Sequence, residues 1–144
     1  MFRYTFCTAV LAAVLFSGCN TLSGQPQITR AGINPEVLEP GATAVITLVL
    51  KDKQDVVERI EGIVLEDPRI TFPLRDDGQP PDEKAGDNVW SMQVDVPFQA
   101  PPGKFSLEFT AYGPDGRPVS IRDDEGEVIV LKASVPINIQ FPSK

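Results

Sequence analysis

Punctuation is the feature that most constrains this chain. Proline and glycine signals interrupt it roughly every ten residues, and the stretches between them alternate apolar with polar side chains. A period of two is the period of a strand, because successive side chains point to opposite faces. In Val89–Val96, Trp90, Met92, Val94 and Val96 share one face; Ser91, Gln93 and Asp95 share the other. Lys104–Tyr112 alternates in the same way, with Phe105, Leu107, Phe109 and Ala111 on its apolar face. Thr43–Leu50 is apolar on both faces, which fits a central strand. Further strands are expected at Ile28–Gly32, Val56–Leu65, Ile70–Leu74, Val119–Ile121, Glu127–Ala133 and Ser134–Phe141. The charges of Val56–Leu65 would also suit a helix, but its β-branched residues and Gly62 favour a strand. Pro73 and Pro136 point to sheet edges, where a missing N–H costs nothing.

Long amphipathic helical stretches do not separate these strands, which excludes a parallel α/β architecture. The expected fold is all-β: an antiparallel β-sandwich of seven to nine strands over residues 28–144, immunoglobulin-like in type. Fourteen prolines and eleven glycines fit its many turns. Trp90 and the phenylalanines of 105–109 are expected in the core, where aromatic area contributes most.

The N-terminus carries an address. Arg3 supplies a positive charge, and Cys7–Phe16 is an uncharged, largely apolar run. It is too short to span a bilayer, which takes about 20 apolar residues, and fits the core of a signal peptide. Ser17, Gly18 and Cys19 come next. The motif LFSGC at 15–19 resembles the lipobox of bacterial lipoproteins. That resemblance implies cleavage after residue 18 and a covalent lipid on Cys19. Several acyl chains give stable anchoring, since each buried CH₂ contributes roughly 0.8 kcal/mol. Residue 20 is Asn, and by resemblance to enterobacterial sorting this favours the outer membrane. Residues 19–27 then form a short tether that holds the domain near the membrane.

Removal of residues 1–18 takes away Cys7 and leaves about 126 residues, one domain's worth. With Cys19 acylated, no thiol remains for a disulfide, a nucleophile or a metal site. The core alone must hold the fold. The mature net charge is about −8, which argues against nucleic acid or anionic lipid as a partner. The expected partners are the membrane, through the lipid, and an envelope protein or a glycan. Exposed sheet edges offer strand addition to an envelope protein.

One stretch is dense in acid: DDGQPPDEKAGDNVW at 76–90. Three roles suit it. Asp side chains cap turns by accepting backbone N–H groups. Asp76, Asp77, Asp82 and Asp87 would also serve calcium, which takes six to eight oxygens. Paired carboxylates cleave glycosides when one is buried enough to raise its pKa, and a polar surface loop is a poor place for that. The chain has no histidine, which removes the commonest general base and any Ser-His-Asp triad. An enzymatic role is therefore not expected. DDEGE at 123–127 is a second acidic turn.

The order Asp76-Asp77-Gly78, Asp82, Ala85-Gly86-Asp87, Asn88, Val89 and Trp90 resembles a loop of bacterial extracellular Ig-like modules of the choice-of-anchor X type. PPGKFSLEFTAYGPDG at 101–116 is similar to the turn, aromatic strand and second turn of those modules. The likeness covers about residues 35–121. It implies an accessory or adhesive role and names no substrate. This chain departs from the pattern at Asn88, where glycine is usual; Asn tolerates positive φ better than most residues. The expected function is a non-enzymatic, membrane-anchored binding or structural module. The alternatives are a calcium-dependent adhesive or glycan-binding module, and an accessory domain of a hydrolase system.

Overall fold

The computed structural model describes residues 24–143. The transport signal and Cys19 lie outside them. The described residues form ten strands and no helix: β1 (Gln27–Asn34), β2 (Val37–Leu38), β3 (Thr43–Lys51), β4 (Arg59–Val64), β5 (Asp67–Leu74), β6 (Val89–Asp95), β7 (Gly103–Tyr112), β8 (Ser120–Arg122), β9 (Val128–Val130) and β10 (Lys132–Ile139). Every expected strand is present, and β2 is the addition that takes the count past nine. Its two residues sit between Pro35 and Pro40, too short to show a period.

The strands form a sandwich. One sheet runs β1-β3-β6 and the other β2-β10-β7-β4-β5; β8 and β9 make a separate hairpin. The pairings are antiparallel except β2 with β10. In the immunoglobulin layout the first, second and fifth strands share a sheet, and the third, sixth and seventh share the other. Here β1, β3 and β6 take the first set of places and β4, β7 and β10 the second.

Ile46, Leu48, Ile60, Leu107 and Phe109 are the largest fully buried side chains. They come from β3, β4 and β7, each of which has neighbours on both sides. Burying each stabilises by roughly 1.5–3 kcal/mol. Trp90 packs in the same core, opposite Leu48 across the β3–β6 ladder. Gly62 faces Phe109 across β4–β7, and a Cβ there would come within 2.3 Å of the ring. The glycine inside an apolar strand is thus the space that the phenylalanine fills.

Four expectations need correction. Val56–Glu58 precede β4, and strand begins at Arg59. β5 starts at Asp67, three residues before the expected Ile70, because Leu65 and Glu66 alone make the turn. β5 is an outer strand, so Pro68 gives up no ladder bond. Phe141 lies beyond β10 and is exposed. Pro136 is in a strand with neighbours on both sides, yet β2 pairs only Asn138 and Ile139, so the edge at Pro136 itself is free.

The register defines two ends. Gln27, Lys51 and Val89 meet at one, which we call the near end because the tether enters there. Asn34, Thr43 and Asp95 meet at the far end. The acidic loop, between β5 and β6, is at the near end. So is the β8–β9 hairpin, where the Arg122 N–H donates to Gln25 Oε1 at 2.7 Å. The eight residues of β1 separate the ends by about 25 Å.

Candidate functional site

The acidic loop is built on its carboxylates. Asp76 Oδ1 accepts the N–H groups of Gly86 at 2.8 Å and Asp87 at 3.3 Å, and Oδ2 accepts that of Asn88 at 2.9 Å. One side chain thereby ties the first residues of the loop to its last. Asp82 is only 5% exposed. It accepts the N–H groups of Gly78 at 2.6 Å and Lys84 at 3.3 Å, and so closes the inner turn. Asp87 accepts from Val89 N–H and Asp77 from Gln79 N–H, both at 3.0 Å. Asn88 takes a φ of 63°, the positive value the sequence anticipated.

Of the four aspartates singled out for calcium, Asp76, Asp82 and Asp87 come together: each has an oxygen within 4.8 Å of the others. Asp77 is not in that group; its carboxylate lies 4.0 Å from the Arg75 guanidinium. A carboxylate oxygen has two lone pairs, so one that accepts an N–H can still meet a cation. Three carboxylates supply part of the six to eight oxygens calcium takes; water or carbonyl groups would complete the shell. The loop's own bonds hold its shape without one. The second acidic turn is likewise capped: Asp123 Oδ1 accepts from Glu125 and Glu127 N–H.

A second feature lies at the far end. A cleft of about 480 Å³ opens between the sheets, within the size range of binding pockets. Ile70 and Phe72 of β5, Val94 of β6, and Phe105 of β7 line it, over a floor that includes Ile46 and Leu107. Among the described residues, Glu66, Asp67 and Asp95 are the only charged ones that line it. Asp67 is bound at 2.8 and 2.9 Å by the Arg69 guanidinium, which holds its carboxyl below the usual carboxylate range. Asp67 therefore carries its own counter-ion, whereas Glu66 and Asp95 have none among the described ion pairs. Apolar exposure gathers around this end: Val37, Leu65, Ile70, Phe98 and Phe141 are all exposed there, Phe98 by 82%.

The sequence did not mark this cleft. Its apolar strand residues, Val94, Phe105 and Leu107 among them, belong to faces that read as ordinary core. The only trace was Phe98, a large aromatic outside the alternating runs.

Comparison with known proteins adds little. No family model matches the chain, and no curated protein sequence does. Twelve chains of solved structures are similar. Among them is the alkylpurine DNA glycosylase AlkC of Pseudomonas fluorescens, bound to DNA containing an abasic site analog. Identity is 11% and the TM-score 0.46; the match spans 80% of this chain and 30% of that one.

Proposed function

We propose that this chain is a lipid-anchored binding protein of the bacterial envelope, without enzymatic activity of its own. One observation carries the reading: the tether joins the sandwich at the near end, and the apolar, acid-rimmed cleft opens at the far end. A lipid on Cys19 would set the near end against the membrane and turn the cleft toward other envelope components. No helix of the described residues is long and apolar enough to cross a membrane. The lipid is then the attachment, in the outer membrane if Asn20 acts as the enterobacterial sorting position does. Fatty-acid labelling and fractionation test this. The wild-type chain should incorporate label and sediment with membranes, and Cys19→Ala should do neither. A Cys19→Ala chain that still sediments would overturn the anchor.

The meeting of Asp76, Asp82 and Asp87 favours a second reading, a calcium-dependent adhesive or glycan-binding module. Thermal unfolding in calcium and in chelator separates the two. A ligand at about 100 times its Kd adds roughly 2.7 kcal/mol. Because the loop is already closed by its own hydrogen bonds, we expect superimposable curves. A rise on the order of 10 °C, lost in Asp87→Ala, would establish the calcium reading.

A further inference from the structure

The sandwich is short of a strand. In the immunoglobulin layout a fourth strand lies beside the fifth, on the sheet edge that β6 forms here. In this molecule that place is filled at one residue. Arg75 and Ser91 exchange both backbone hydrogen bonds, at 3.0 and 2.9 Å, after which the chain leaves for the acidic loop. The outward-facing bonds of Ser91 fix the alternation. Met92 and Val94 turn their backbone groups toward β3; Gln93 and Asp95 turn theirs away. Among the described residues, the N–H and C=O groups of Gln93 and Asp95 have no hydrogen-bond partner. Directly beneath this free edge lies the apolar cleft, with Val94 on one wall and Ile70 and Phe72 on the other.

We infer that the lower half of β6, Met92–Asp95, receives an extended segment of a partner protein, whose alternate apolar side chains fill the cleft and whose flanking Lys or Arg residues meet Glu66 and Asp95. This rests on the reading of the chain as a binding protein and names the partner's chemistry. The backbone would gain the ladder bonds that Gln93 and Asp95 lack, and side chains with a period of two would enter between the sheets. The charge of the rim selects the occupant. The two carboxylates without counter-ions favour a cationic segment and disfavour an anionic lipid. They also disfavour a second copy, which would bring an identical acidic rim against this one.

The test uses the full chain, carried by its lipid in phosphatidylcholine nanodiscs. The probe is a short labelled peptide alternating valine with threonine, with arginine at both ends. A second peptide has glutamate ends. Fluorescence anisotropy should show the arginine peptide binding about tenfold more tightly than the glutamate one. Gln93→Pro removes an outward N–H and leaves the β3 ladder intact, as proline does at sheet edges. Ile70→Lys puts a cation at the mouth of the cleft, at a residue 46% exposed. Each variant should abolish binding while thermal unfolding stays within a few degrees of wild type. Equal affinity for the two peptides, binding that survives both variants, or no binding of either peptide overturns the inference. Sedimentation showing a dimer that Gln93→Pro dissolves also overturns it, in favour of a second copy. Failure of the anchor is seen separately, as a chain that does not enter nanodiscs; peptide binding is then read on the same full chain in buffer.

Discussion

Asp76 and Asp77 are neighbours with the same side chain and different duties. Asp76 accepts three N–H groups from the far side of the loop; Asp77 accepts one, from two residues ahead, and faces Arg75. Removing an acceptor that three donors share, one of them part-buried, costs about 1–3 kcal/mol, whereas a single exposed local contact falls within about 0.5. Asp76→Ala should therefore cost about 2 kcal/mol and lower Tm on the order of 8 °C, and Asp77→Ala should leave it nearly unchanged. Differential scanning calorimetry of the two variants checks this. Equal effects would mean that the loop is not held through Asp76. The sequence made the aspartates and their turn chemistry visible at this scale. Which of them shares a cluster was not visible, because that depends on how residues ten apart fold back on each other.

At the scale of elements, alternation was the legible signal. Trp90, Met92 and Val94 were placed on the inner face of β6 by period alone, and Phe105, Leu107 and Phe109 on that of β7. Periodicity assigns a face but not a neighbour, and a strand of two residues has no period to show. β2 and the open edge of β6 were invisible for those reasons. Gly62 belongs to this scale as well. Its hydrogen sits against the Phe109 ring, so Gly62→Ala should force the ring or the β4–β7 ladder aside and cost about 1–3 kcal/mol by overpacking. Urea unfolding should show a lower midpoint at an unchanged slope, and Gly62→Ala with Phe109→Leu should recover part of the loss. A neutral Gly62→Ala would contradict the packing described.

For the whole molecule, polarity of construction matters most. The tether, the acidic loop and the β8–β9 hairpin are at the near end; the cleft and most of the exposed apolar side chains are at the far end. Capped turns at the near end and an open seam at the far end suit a module held by one end and used at the other. Orientation on the membrane is thus the central claim, and energy transfer to a headgroup acceptor in the bilayer measures it. The donor is placed by Asp124→Cys at the tip of the near-end hairpin, or by Gln99→Cys beside the cleft; both side chains are exposed. With Cys19 acylated as proposed, each introduced thiol is free for specific labelling. The account predicts strong transfer from position 124 and weak transfer from position 99, which stands about 25 Å further out. Equal transfer from both, or stronger transfer from position 99, would contradict it.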